Sequence, residues 1–240
     1  MRIADCEQEA GKRWISKAAE VVASHQVTLL GDDLSSKQPF CALALPQGLH
    51  FILTYKPDSH ATRSEWLACW QANDGIAALA RRHWYGRFTD VRLYRYLNDV
   101  RLRDGEDALS INWFEITVVN AKTGEQLSHN SFITNHRLHA DNVADVAQAG
   151  RGRWKIENDN TNVLQTKGDH LAHNFGHGQH SLSAFLFSLN LLAFLFHTVL
   201  EWSDDQYILL RRVLARRQTF FKEIRALTHY MVFDSWDHLT

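Results

Sequence analysis

Three cysteines, three prolines and a net charge of −1 are all that this 240-residue chain holds where other classes of protein are rich. Cys6, Cys41 and Cys69 are odd in number and widely spaced. That excludes a disulfide framework and a zinc-ribbon spacing, and it suits a reducing, cytoplasmic location. So few prolines exclude a linker-rich protein. The balance of 26 Lys+Arg against 27 Asp+Glu excludes a uniformly basic nucleic-acid coat, while leaving room for local patches. The opening MRIADCEQEAGKRW has no apolar segment ahead of a small-residue cleavage site, so it does not read as a signal peptide. What is present is 45% hydrophobic and 22% charged residues, the composition of a globular chain. At this length a full core can form without disulfide or metal staples.

Periodicity gives a coarse order of elements. Residues 4–24 place Ala10, Trp14, Ile15, Ala18, Val21 and Val22 at helical spacing. Val27 to Leu30 reads as a buried strand that runs out at Gly31-Asp32-Asp33, and residues 37–46 as a short helix. LHFILTY, residues 49–55, is a second strand stopped by Lys56-Pro57. Residues 60–80 read as a helix with Trp66, Leu67, Trp70 and Ile76 on its apolar side. This alternation predicts a parallel α/β layer. Between Trp84 and Thr134 several short β-rich runs are separated by the turn signals Asp104-Gly105 and Lys122-Thr123-Gly124-Glu125. They predict an antiparallel meander, residues 84–134, inserted into the α/β scaffold. From Asp141 the chain reads as helical, giving an α/β (α+β overall) single domain over residues 1–240 with a helical C-terminal part. Leu182 to Leu200 approaches the length of a membrane span, yet Ser183, Ser188, Asn190 and His197 are spread through it. We read it as a buried core helix of a soluble protein, with no membrane partner.

Four groups of residues can carry chemistry. Asp32, with Asp33 beside it, ends a buried strand, the edge of an open α/β sheet where ligands and metals gather. It reads either as a turn or cap residue or as an oxygen ligand to a divalent ion. Arg153 and Glu157 are four apart and share a helix face, as a surface ion pair or as a metal-binding glutamate beside a phosphate-binding arginine. His170, His173, His177 and His180 lie among Gly168, Gly176 and Gly178, so a structural or DNA-facing loop is favoured over a zinc site. Arg211, Arg212, Arg216, Arg217, Lys222 and Arg225 form a basic stripe, either a solvated face or a phosphate-contacting one.

Taken together, GDDLSSKQPFC, GLHFILTYKPDSH, FITNHRLHADNV, GRGRWKIENDN, KGDHLAHNFGHG and EIRALTHYMVFDSWDHL, in this order, resemble the DDE transposases of bacterial insertion sequences. The resemblance runs from about Asp5 to the C-terminus. It implies a ribonuclease-H-like fold in which two aspartates and a glutamate hold two Mg²⁺ ions for DNA cleavage and strand transfer. Asp32 matches the family's second aspartate, and Arg153 and Glu157 match its arginine–glutamate pair. Lys167 is the lysine nearest the position where relatives carry one, which here is Leu164. Ser35 stands where many relatives have an aromatic. The resemblance further implies DNA contacts by Arg153, Lys167, Arg211, Arg212 and Arg216, insertion-sequence ends as the DNA partner, and a homo-oligomer in a synaptic complex. The family's first aspartate lies on a strand upstream of the helix at 4–24, so the resemblance implies an N-terminally truncated enzyme without its first strands. Such a chain is inactive alone. The alternative is a non-catalytic DNA-binding remnant or regulator of transposition.

Overall fold

Two short apolar runs found the sheet. In the computed structural model, Thr28–Gly31 forms strand β1 and His50–Thr54 forms β2, paired in parallel with Leu30 opposite Ile52. Four longer strands follow: β3 Ala77–Trp84, β4 Thr89–Arg101, β5 Ser110–Asn120 and β6 Gln126–Thr134. All six belong to one sheet in the order β1-β2-β6-β5-β4-β3, with antiparallel pairing everywhere except β1–β2. The structure describes residues 7–23, 25–56, 75–166, 171 and 181–235. They fall into two compact units, Met1–Arg153 and Trp154–Thr240.

In the first unit, strand alternation sends two apolar sets to opposite faces. Phe51, Leu53, Trp113 and Ile133 pack with Ile15 of helix α1 (Glu7–Ala23) and Cys41 and Ala44 of helix α2 (Gln38–Ala44). Ile52, Phe114, Ile116 and Phe132 pack on the other face with Val143 and Ala147 of helix α3 (Val143–Lys155). Trp113 is buried, and its Nε1 is satisfied by donating to Ser131 Oγ at 2.8 Å. Gly124, at φ +72°, closes the β5–β6 turn, where Asn120 Oδ1 accepts from the amides of Lys122 and Thr123.

Two expectations are corrected here. The helix expected over 60–80 ends in strand: Ala77 to Ala80 pair with Tyr96 to Leu93 of β4, while residues 57–74 lie outside the described residues. Alanine-rich sequence favours helix only until a neighbouring strand offers backbone partners. The β-rich stretch begins at Ala77 rather than Trp84. Its last strand, β6, pairs with β2, so the meander extends the α/β layer into one mixed sheet.

The second unit is helical. A π-helical turn, Ile156–Thr161, follows α3, then α4 (Asn162–Thr166), α5 (Leu182–Ser203), α6 (Asp205–Val213) and α7 (Arg217–Tyr230). Asp204 caps α6 by accepting from the Tyr207 amide at 2.8 Å. Tyr207 and Phe220 are fully buried, and the Tyr207 hydroxyl meets His197 Nδ1 of α5 at 2.9 Å. Full burial of a phenylalanine such as Phe220 stabilises by about 1.5–3 kcal/mol. Helix α5 is the third correction. None of its described residues is buried, although it was expected to be a core helix. Large apolar side chains along it are exposed, and residues of α6 and α7 meet it at Phe194, His197 and Glu201. With a mean hydropathy of 1.8 it is long and apolar enough to cross a membrane, the one such helix among the described residues.

Candidate functional site

Gly31 sets the geometry at the carboxyl end of β1. A Cβ there would stand 2.6 Å from Leu53 Cδ2 on the adjacent strand and 3.0 Å from Ser35 Cβ, so the chain after β1 folds back tightly on the sheet. The turn that results points its two aspartates to different tasks. Asp33 is buried, and its Oδ1 accepts the Lys56 amide at 2.8 Å, tying the end of β1 to the end of β2. Asp32 is half-buried. Its Oδ1 accepts from the amides of Leu34 (3.1 Å) and Ser35 (3.3 Å) and from Ser35 Oγ (3.4 Å). The turn-cap reading of Asp32 is the one these bonds show: Oδ1 caps the turn, and Oδ2 takes no hydrogen bond from the described residues. Ser35 also has a local reason for its size: it sits against Gly31 and supplies the third donor to Asp32.

Helix α3 reaches the same region through two glycines. At Gly150 a Cβ would lie 2.9 Å from Ile52 Cγ2 and 3.2 Å from the Phe132 ring, so the helix backbone rests directly on β2 and β6. Gly152 faces Leu30 of β1, with Leu30 Cδ1 3.9 Å from its Cβ position. Leu30 is two residues from Asp32, and Arg153, half-buried, follows Gly152. Gly152, next to Arg153, thus meets the strand that leads into the Asp32 turn. Beyond Lys155 the helix widens. Glu157 falls in the π-helical turn, and its side chain lies outside the described residues. The local sequence, IENDNT, is poor in strong helix formers, and Asn158 Nδ2 donates to the Trp154 carbonyl at 3.0 Å, which the wider turn frees. Single π-turns inside helices recur at functional sites.

The remaining expected residues are distributed differently. Lys167 and the cluster His170, His173, His177 and His180 lie outside the described residues. The basic stripe divides between α6 and α7. Arg211 points inward: its Nε meets Glu201 Oε1 at 2.9 Å, its Nη1 donates to the Leu214 carbonyl at 3.0 Å, and its guanidinium lies 5.3 Å from the Phe220 ring centre. Arg212 and Arg216 are exposed. Among the described residues no group of three or more His, Cys, Asp or Glu side chains is gathered to hold a metal ion.

Three features escaped the sequence reading. Asp33 and Asp32 are adjacent and identical, so nothing in the sequence tells the clamp from the open carboxylate. His50 and His136 stack at 4.4 Å near the starts of β1 and β2, and His136 Nε2 meets Thr28 Oγ1 at 3.1 Å. Burial, reinforced by His50, holds the His136 pKa below its ordinary value of 6.5. The run RRHWYGRF, residues 81–88, carried an audible signal of interleaved arginines and aromatics, which the helix expected over 60–80 obscured. No family model matches the chain, and no curated protein is significantly similar to it.

Proposed function

We propose that this chain is part of a DDE-class DNA transposase with a ribonuclease-H-like catalytic layer built on β1, β2 and α3. The observation that supports it most is the van der Waals contact of Gly152 with Leu30, by which helix α3 lies against β1, the strand that leads into the Asp32 turn. Asp32, through Oδ2, and Glu157 are the Mg²⁺ ligands in this reading, and Arg153 orients the DNA phosphate or the glutamate. Mg²⁺ held by these residues would supply Lewis-acid activation of water or a 3′-hydroxyl for attack on a phosphodiester. The chain's own contribution is positioning. Asp33 fixes the turn, Ser35 fixes Asp32, and Lys167, Arg212 and Arg216 contact insertion-sequence DNA, while Arg211 holds the helices that present them. The assembly acts in the cytoplasm as a homo-oligomer on paired DNA ends.

Iron-directed cleavage tests the shared metal without requiring turnover. Fe²⁺ loaded in place of Mg²⁺, with ascorbate and peroxide, cuts the backbone near its site. The expected fragments end within residues 31–34 and 155–159, are suppressed by excess Mg²⁺, and disappear at both segments in Asp32→Ala. Cuts at neither segment, at only one, or unaltered by that substitution overturn the assignment.

A further inference from the structure

Among the described residues strand β3 ends the sheet, with no strand beside its outer edge, and seven of its eight residues are exposed. Between Arg81 and Arg95 the β3–β4 hairpin carries five arginines (positions 81, 82, 87, 92 and 95) against one aspartate, Asp90, in a chain of net charge −1. Charge on an edge strand by itself guards against edge-to-edge aggregation. That function does not account for the aromatics placed among the arginines. Trp84 is 72% exposed, Phe88 51% and Tyr85 46%. Large apolar rings on an open edge invite the very association that the arginines would prevent.

The rings are also ordered. His83 and Tyr85 lie 4.7 Å apart, and Tyr85 and Phe88 stack at 5.0 Å with planes inclined by 26°. The turn that holds them is closed by the Tyr85 amide donating to the Phe88 carbonyl at 2.9 Å, with Gly86 at φ +82°. Arg92 secures Tyr85 from below: its guanidinium lies 5.9 Å from the ring centre, donates to the tyrosine hydroxyl, and is itself held by Asp90 at 3.7 Å. Arg82 and Arg87 are exposed and form no ion pair among the described residues. Fixed flat rings bordered by uncommitted guanidiniums match a polyanion that also offers flat faces.

We propose that the β3–β4 hairpin binds nucleic acid with unpaired bases, its rings stacking on bases while Arg82 and Arg87 pair with the flanking phosphates. An acidic peptide would satisfy the arginines and leave the rings uncovered. The surface stands on its own residues and needs no metal, so it is independent of the reading of Asp32 and Glu157.

The test is fluorescence anisotropy in EDTA with labelled oligothymidine of about 20 nucleotides, longer than one typical single-strand site. A blunt duplex and a duplex with an unpaired tail serve as comparisons. The single strand and the tailed duplex are expected to bind more tightly than the blunt one. Trp84→Ala and Phe88→Ala each weaken single-strand binding by about fivefold to a hundredfold, the range lost with one base–aromatic stack, and leave the salt slope unchanged. Arg82→Ala with Arg87→Ala lowers the slope of log affinity against log salt by about 1–2. Lys122→Ala, in the exposed β5–β6 turn, leaves the preference for unpaired bases intact. Unaltered circular dichroism melts show that these exposed substitutions spare the fold. Equal binding of blunt and single-stranded DNA, no loss in the aromatic variants, or displacement by polyglutamate as effective as by unlabelled oligothymidine overturns the proposal.

Discussion

Exchanging glycine for alanine at two positions of one helix isolates the contact that seats α3 on the sheet. Gly150 and Gly152 are both helical, so either substitution recovers the same propensity, about 0.8–1 kcal/mol. They differ in what the new methyl meets. At Gly152 the nearest atom is Leu30 Cδ1 at 3.9 Å, an ordinary contact. At Gly150 it is Ile52 Cγ2 at 2.9 Å and then the Phe132 ring at 3.2 Å. Carbon atoms prefer separations of about 3.5–4.0 Å, so the helix must lift by roughly 0.6–1 Å or the sheet must yield. Neither neighbour swings aside easily: Ile52 and Phe132 are buried, and Phe132 is stacked on Phe114 at 5.1 Å. Overpacking of this kind costs about 1–3 kcal/mol. Gly152→Ala is therefore expected to stabilise the first unit, and Gly150→Ala to leave it about 1–3 kcal/mol below Gly152→Ala. Hydrogen exchange of the β6 peptide, measured in the regime where exchange follows opening, reads this as a fivefold to 150-fold difference in rate between the variants. Equal protection of β6 in the two variants, or greater protection in Gly150→Ala, refutes the seating of α3 on β2 and β6.

Two further outcomes follow from particular contacts. Because burial and His50 hold the folded-state pKa of His136 below 6.5, the unfolded chain takes up the proton first; urea midpoints should be highest above pH 6.5 and fall as the pH drops through and below it. His136→Gln should flatten that fall, and an unchanged pH profile in this variant excludes His136 as its source. In the second unit, Arg211→Ala breaks the contact with Glu201 beneath Phe220 and should lower stability by about 1–3 kcal/mol, whereas exposed Arg212→Ala should change it by less than about 0.5 kcal/mol. Equal effects in chemical denaturation would show that Arg211 does not tie the helices together.

The fold was legible wherever a local pattern and its tertiary setting agreed. The runs at 27–30 and 49–55 are apolar and bounded by turn residues, and they became β1 and β2 within a residue or two. Residues 4–24 and 37–46 carried helical spacing and became α1 and α2, the first described from Glu7. Agreement failed where a partner decided. AALARRHW has the alanines of a helix, but β4 lies alongside it. The periodicity after Asp141 continues through Ile156–Thr161, so it could not show the widening of the helix, which depends on a side-chain amide replacing a backbone one. α5 is strongly apolar, which predicts burial only if enough other surface is present to cover it. For the site, the strand-end position of Asp32 was readable, since a buried run ending in Gly-Asp-Asp has few places to go. The packing of α3 was not, because Gly150 and Gly152 look like helix weaknesses until the sheet beneath them is known.

The paired aspartates show why position in a motif and position in a site are separate matters. A ligand carboxylate is most effective when its orientation is settled before the ion arrives, since freezing a mobile side chain costs about 0.5–1.5 kcal/mol at the moment of binding. Asp32 has that cost met in advance: three donors of its own turn hold Oδ1, and Gly31 and Ser35 hold the turn. The same bonds make it an ordinary turn cap; in the proposed reading of Asp32 as a ligand, they also fix the carboxylate's orientation. Asp33 differs because its carboxylate faces inward to the Lys56 amide and is buried, where a cation would have to displace a bond that joins two strands. The proposed reading therefore assigns the ligand role to Asp32, where an ion would leave the Asp33–Lys56 bond in place.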